Sequence, residues 1–218
     1  MDRPPTSNVS VDVLTLRYNG EERHVEIAVA PRSSEPYLGQ LALPGVTLWE
    51  GERLADAARR AVHDKLGLGL RDLGQLTVFD EPSRDPRGFT LSVAMWAIAD
   101  SSEPQRADVR WFAVEDVPHL AFDHNQIVTF CRPLLVDRLW RDLAFTRALT
   151  GPTFPVSAAV AITRSLTGVF PDRGNLNRRL ASVQGLGVSH KRVVLGRGRP
   201  GTLWEWQSAH AEPADVDA

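Results

Sequence analysis

The sequence predicts an α+β protein: an α/β/α sandwich of short strands and one prominent helix, followed by a smaller unit of helices and a hairpin. Three observations carry that expectation. Short apolar alternations fill the first 120 or so residues and surround a single amphipathic stretch. From Asp123 onward the apolar spacing becomes helical. Between Arg173 and Pro200 stand seven cations and no acid, in a chain whose 27 acids and 25 cations otherwise nearly cancel.

Residues 1–8 are expected to be a flexible arm. Val9, Val11, Val13, Leu14 and Leu16 mark a first strand, Asn19-Gly20 a tight turn, and His24–Ala30 a returning strand with Val25, Ile27 and Val29 inward. Pro31–Gly39 reads as a loop and Gln40–Leu43 as a short strand ended by Pro44. A helix is predicted over Glu52–Leu66, because Leu54, Ala57, Ala58, Ala61, Val62 and Leu66 recur at three- and four-residue spacing and Gly67 supplies the stop. Leu73–Phe79 and Phe89–Ile98 are strands around the polar loop Asp80–Gly88, and Val109–Val114 closes a first domain, residues 9–120. Residues 121–150 are a linker region, helical from Asp123 to about Leu149, with Pro133 expected to kink or break it.

Residues 151–207 form the second domain. Val156–Leu166 is helical and stopped by Gly168; Asn175–Val183 is a short basic helix with Leu176, Leu180 and Val183 on its apolar side. Val188–Leu195 and Thr202–Trp206 are strands joined by the turn Gly196–Gly201. Two helices across a tight turn, then a hairpin with a basic tip, is the order of a winged helix-turn-helix. Residues 208–218, rich in Ala, Asp and Glu, are expected to be a disordered tail.

Composition narrows the classes. With 43% hydrophobic and 24% charged residues, the chain is that of a globular protein large enough to bury a core. No apolar run approaches the roughly 20 residues of a membrane span, and Met1-Asp2-Arg3-Pro4-Pro5 does not read as a signal peptide. A single cysteine, Cys131, excludes an intrachain disulfide and fits a reducing cytoplasm.

The local surplus is Arg173, Arg178, Arg179, Lys191, Arg192, Arg197 and Arg199. These cations fall on one helix and one hairpin tip, the two parts of a winged helix that touch double-stranded DNA, where they would neutralise phosphates. Asn175, Asn177, Arg178 and Arg179 occupy the first turns of the recognition helix, with side chains able to pair with base edges. A solvated face is the competing account of such a run, and Asn175 is equally placed to cap its helix. A homodimer reading a palindromic operator is the expected assembly.

Residues 43–68 carry a second pattern. Leu43-Pro44-Gly45 is followed by Glu52, Arg60, Val62, Gly67 and Leu68 at the spacing of a Nudix box. Val46 stands where the box has its first glycine, Ala61 where Glu follows Arg, and Asp64-Lys65 where it has Glu-Glu. Such a box holds magnesium through its carboxylates. Here Glu50, Glu52 and Asp64 are the remaining oxygen donors and Lys65 brings a cation, so no metal cofactor and no catalytic residues are expected. Arg60 matches the box arginine that braces the loop. The segment order resembles the NrtR family of Nudix-related transcriptional regulators. Four stretches carry the resemblance: the box, Arg84-Asp85-Pro86-Arg87-Gly88 with Ser92-Val93, Leu120–His124, and Gly196–Pro200. It implies a Nudix-like domain fused to a winged helix: a dimeric repressor of NAD biosynthesis or salvage genes that senses ADP-ribose or a related nucleotide. Related branches respond to sugars or sugar phosphates. The resemblance places Arg84 and Arg87 at the effector pocket; Glu52 and Lys65 are the further candidates, Lys65 by position alone. A salt bridge of Arg84 or Arg87 with Asp85 or Glu81 is the alternative. The competing functions are a Nudix pyrophosphatase of nucleoside diphosphate derivatives and a winged helix that binds RNA. Asp123 is expected to be an N-cap, His119 and His124 lack a ligand set for metal, and Cys131, Trp204 and Trp206 are expected to pack.

Overall fold

The computed structural model describes residues 7–100, 105–189 and 202–207. In chain order the first half comprises β1 (Asn8–Asn19), β2 (His24–Pro31), β3 (Leu41–Ala42), β4 (Gly45–Thr47), α1 (Leu54–Leu66), β5 (Gly69–Phe79), β6 (Thr90–Asp100) and β7 (Arg110–Ala113). The second comprises α2 (His124–Arg138), α3 (Leu143–Thr150), β8 (Thr153–Pro155), α4 (Val156–Thr167), α5 (Arg173–Ala181), β9 (Leu186–Val188) and β10 (Leu203–Trp206).

β1 organises the first sheet. It pairs antiparallel with β2 and β4 and runs parallel to β6, giving the order β3-β2-β1-β6-β5, with β7 added on β2. Both faces of the central strands are covered. Val11 and Val13 of β1 and Val93, Met95 and Ala97 of β6 pack under α1, whose inward side is Ala57, Ala58, Ala61, Val62 and Leu66. Leu14, Leu16, Trp96 and Ile98 face the opposite way, onto α2, α3 and α4. The period of two sorts these residues between two cores, so the layering is the expected α/β/α sandwich. The small alanines bring α1 close to the sheet, and Gly67 ends it at φ +70°.

Several expectations are corrected. Asn8 is already in β1, its N–H bonded to the Phe89 carbonyl at 3.1 Å. The β1–β2 connection is a loop of Gly20–Arg23, in which the Asn19 side chain accepts from the Glu21 and Glu22 amides. β4 was not anticipated. Pro133 does not end its helix: α2 runs through it to Arg138, because the ring sits on an exposed side where water can satisfy the carbonyl it orphans. The break comes at Leu139–Asp142, where Trp140 takes φ +64° and Asp142 caps α3 through the Phe145 N–H. The first wing strand begins at Leu186 and its β9 assignment ends at Val188; the expected continuation through residues 190–195 lies outside the described residues.

The order helix, strand, helix, helix, hairpin from α3 to β10 is that of a winged helix, with β8 as an unforeseen third strand in the sheet β8-β10-β9. Phe154 of β8 stacks on Trp140 and lies beside Trp206, and the Trp206 indole donates to the Thr150 hydroxyl at 3.0 Å. Trp204 and Trp206 therefore pack, as does buried Cys131, whose thiol burial pushes up to about 12.

This unit shares one core with the sheet. Ile162 and Leu166 of α4 join Ile127, Cys131 and Leu135 of α2 and the β1 and β2 side chains. The Ser165 hydroxyl accepts from the Val25 N–H at 3.0 Å and donates to Glu115 at 2.9 Å. Arg132 of α2 donates to the Ser165 and Leu166 carbonyls at the C-terminus of α4, where the helix dipole favours a cation. Among the described residues, no helix is long and apolar enough to cross a membrane.

Candidate functional site

A cavity of about 450 Å³ opens where the ends of β1 and β2, the box loop, α1, the β5–β6 loop and the start of α2 converge. That volume suits a small-molecule ligand. Five cationic side chains line it, Arg32, Arg60, Lys65, Arg84 and Arg87, against two carboxylates, Asp12 and Asp85. The surplus of positive charge favours an anion.

Asp12 is the keystone of the floor. It is charged yet 6% exposed, in the middle of the apolar β1 run. Ser92 donates to its Oδ2 at 2.5 Å and Arg84 Nη2 at 3.2 Å. Arg84 is more firmly held by Asp123, with Nε and Nη2 donating at 2.9 and 2.8 Å. Burial, the largest influence, works against the guanidinium charge, but these bonds and ion pairs outweigh it and raise its pKa. Gly45 is fixed by the same group: a Cβ there would lie 2.2 Å from Asp12 Oδ1 and 3.2 Å from the Val11 carbonyl. His124, at the first residue of α2, accepts the Leu43 N–H at Nδ1, 3.0 Å away, and turns Nε2 toward Asp12 at 3.6 Å. Burial depresses its pKa and holds it neutral, against the pull of Asp12 and Asp123.

Asp123 thus corrects one expectation. It stands at the N-cap position, but its side chain makes no cap bond and serves Arg84 instead. Arg84 in turn pairs with Asp12 and Asp123, neither of the partners weighed from sequence. For Arg87 the weighed pairing does occur: Nε and Nη2 meet Asp85 at 3.0 and 2.7 Å, which raises the Arg87 pKa, while Asp85 is lowered despite burial. Arg87 remains 56% exposed at the side chain.

The upper wall is aromatic and cationic. Arg32 lies over the Phe122 ring at 4.5 Å, with Arg87 at 5.7 Å from the same ring. Arg60 lies over Trp49 at 3.7 Å, and Trp49 is 63% exposed at the rim. Glu52 is not in the lining. Both of its oxygens hold Arg60, at 2.8 and 2.7 Å, and one also accepts the Trp49 N–H at 2.9 Å. Its role is to brace the box loop, and it holds Arg60 facing the cavity. Lys65 does line the cavity, from the last turn of α1. The structure therefore brings Arg84, Arg87 and Lys65 together and leaves Glu52 behind them.

Sequence reasoning missed Asp12, Arg32, Trp49 and Phe122. Asp12 had a signal, a lone charge inside an apolar strand. Phe122, at φ +56°, lay within the Leu120–His124 stretch without a mark of its role, and Arg32, in a loop, had no signal, because only the fold brings them to one wall.

The second candidate face is α5. Leu176 and Leu180 bury one side, which leaves Arg173, Asn175, Arg178 and Arg179 exposed on the other. The cap is Asp172, accepting from the Asn175 N–H at 2.7 Å, so Asn175 is freed from the capping role considered for it; its Oδ1 accepts from Arg178. Asn177 is half-buried, its Oδ1 enclosed and without a hydrogen-bond partner. Arg179 Nη2 donates to the Leu139 carbonyl at the end of α2, 3.3 Å away. Lys191, Arg192, Arg197 and Arg199 lie outside the described residues.

No protein-family model matches the chain. An ADP-ribose pyrophosphatase of Methanocaldococcus jannaschii is 31% identical over 111 residues, spanning 49% of this chain and 66% of that enzyme, just under two thirds of its length. A protein of Acinetobacter baylyi described as an ADPR responsive transcriptional repressor is 24% identical over 213 residues, or 93% of this chain and 83% of its own. The crystal structure of Shewanella oneidensis NrtR superposes with a TM-score of 0.74 at 24% identity, covering 91% of this chain and 94% of that one. The same protein with a 27mer DNA gives 0.73, at 24% identity and coverages of 91% and 93%. Its NUDIX domain with ADP ribose gives 0.54 at 28% identity, covering 60% of this chain and 90% of that domain. The fold is that of a Nudix-like domain joined to a winged helix, over nearly the whole chain.

Proposed function

We propose that this chain, built on the NrtR plan, is a DNA-binding transcriptional repressor whose Nudix-like half senses ADP-ribose or a related nucleotide. One observation carries the reading: a single chain joins a cavity lined by a surplus of cations to a short helix with an outward basic face. Guanidinium and ammonium groups bind a pyrophosphate. A short basic helix carried by a winged helix reaches the major groove and its phosphates. The likenesses to the Acinetobacter repressor and to the DNA- and ADP-ribose-bound Shewanella structures support the same pairing of partners. The regulated genes are those of NAD biosynthesis or salvage, on the family resemblance, and the working form is a homodimer on a palindromic operator.

The box in this reading is a fold element. Ala61 is buried in the core, and the Asp64 carboxylate lies against His63 at 3.2 Å, outside the cavity lining. The likeness to the Methanocaldococcus pyrophosphatase favours a second reading, residual hydrolysis of ADP-ribose. Magnesium-dependent release of AMP from ADP-ribose would establish it.

The deciding experiment is an electrophoretic mobility shift with the DNA upstream of the host's NAD biosynthesis genes, titrated with ADP-ribose and with NAD. A specific shift changed by one of the two supports the reading and identifies the effector. A shift indifferent to both removes the nucleotide sensor, and no specific shift removes the regulator.

A further inference from the structure

We propose that the Lys65 ammonium takes the place of the divalent cation of a Nudix site, so that the cavity grips a pyrophosphate group without metal. The inference rests on the reading of this cavity as a nucleotide diphosphate site.

A divalent cation needs several hard oxygens converging on one point. The box helix does not provide them. Its two residues in the cavity lining are Arg60 and Lys65, both cations. Ala61 offers no ligand atom, Asp64 is turned outside with half of its side chain exposed, and both Glu52 oxygens are held by Arg60. The two lining carboxylates are already matched, Asp12 by Ser92 and Arg84, Asp85 by Arg87. Among the described residues, no group of three or more His, Cys, Asp or Glu could hold a metal ion. The donor set does not fit a divalent cation.

The same inventory singles out Lys65. Arg60, Arg84 and Arg87 are each tied to a carboxylate and Arg32 is held by the Pro36 and Ser34 carbonyls, whereas Lys65 takes part in no ion pair among the described residues. It projects from an exposed position on the last turn of α1 and lines the same cavity as the Arg84–Arg87 loop. Its ammonium is a compact charge with three donors, which suits the non-bridging oxygens of a diphosphate. A metal ion at the same place would meet that charge directly, so the lysine and the metal are mutually exclusive occupants.

The test is calorimetric titration of the full chain with ADP-ribose, once in excess EDTA and once in excess magnesium chloride, repeated with inorganic pyrophosphate. Equal affinity in the two buffers is expected for the wild type. Lys65→Met, which keeps most of the side-chain length, is expected to weaken binding about tenfold or more in EDTA while melting as the wild type does. Lys65→Glu restores a carboxylate and is expected to bind in magnesium better than in EDTA. Wild-type binding that requires magnesium overturns the inference and leaves the nucleotide reading standing. So does Lys65→Met binding as tightly as the wild type in EDTA. If ADP-ribose fails but pyrophosphate binds without metal and through Lys65, the nucleotide reading falls and the lysine site stands. Failure of both ligands overturns the lysine site.

Discussion

Replacing Arg84 by Met separates an architectural arginine from an exposed one in the same loop. The side chains of Arg84, Asp12 and Asp123 are 4%, 8% and 11% exposed, so water cannot take over when the guanidinium is removed. Two carboxylates would stay behind in a floor that is closed to solvent. Removing one partner of such a buried pair costs about 3–5 kcal/mol. At roughly 2–4 °C per kcal/mol for a chain of this size, the midpoint of thermal unfolding should fall by about 10 °C. Arg87→Met is the comparison: Asp85 is 7% exposed but keeps the Arg87 N–H at 3.0 Å, and the arginine it loses is 56% exposed, so the cost should be smaller, about 1–2 kcal/mol. Thermal melts followed by far-ultraviolet circular dichroism read both. A double variant, Arg84→Met with Asp123→Asn, should recover at least about 1 kcal/mol relative to the sum of the two single changes, because one stranded charge is gone. An Arg84→Met protein melting within about 2 °C of the wild type would refute the argument, since the ion pairs would then be incidental.

Three further outcomes follow from the site. His124 has its pKa lowered from 6.5 by burial, so the unfolded chain takes up its proton first as pH falls; stability should decline below about pH 6.5, by at most about 1.4 kcal/mol per unit, and His124→Gln should flatten that slope. A slope between pH 6.5 and 5 that is identical in the variant would assign the decline elsewhere. Arg178→Ala with Arg179→Ala should abolish specific operator binding at physiological salt while leaving ADP-ribose titrations unchanged, and any residual binding should have a salt dependence shallower by about two phosphate contacts. Normal operator binding by that variant would remove α5 as the reading helix. Arg87→Glu should reduce the response of DNA binding to the effector about tenfold or more without weakening DNA binding itself, since a carboxylate would repel the diphosphate; an unchanged effector titration would take Arg87 out of the pocket.

What the sequence made legible was local. The Ala and Leu spacing of residues 54–66 and the stop at Gly67 define α1 without reference to the rest of the chain. The alternations of β1 and β6 were also readable, but their two-sided burial was not. Val11 and Val13 could have faced water as well as Leu14, and only the helices on both faces decide the matter. β4 and β8, three residues each, carry too little pattern to be seen, and both are held by partners distant in sequence. Pro133 misled because its cost depends on whether the orphaned carbonyl faces solvent. In the site, the box and the Arg84–Arg87 loop were visible as motifs. Which arginine was free and which was built into the floor was not, because that division depends on Asp12 and Asp123, 72 and 39 residues away from Arg84.

Helix α2 begins at the cavity floor, where Asp123 and His124 are locked, and ends just before Leu139, whose carbonyl holds Arg179 of α5. Its 15 residues make a strut about 22 Å long. Held at both ends and, through Arg132 and the buried Ile127, Cys131 and Leu135, along its length, it passes a displacement from one end to the other as a rigid body. Tilting it by only about five degrees would carry the far carbonyl about 2 Å, the scale of the helix shifts by which proteins switch. A ligand that displaces Asp123 through Arg84 would therefore reach the Leu139–Arg179 contact through one rigid element.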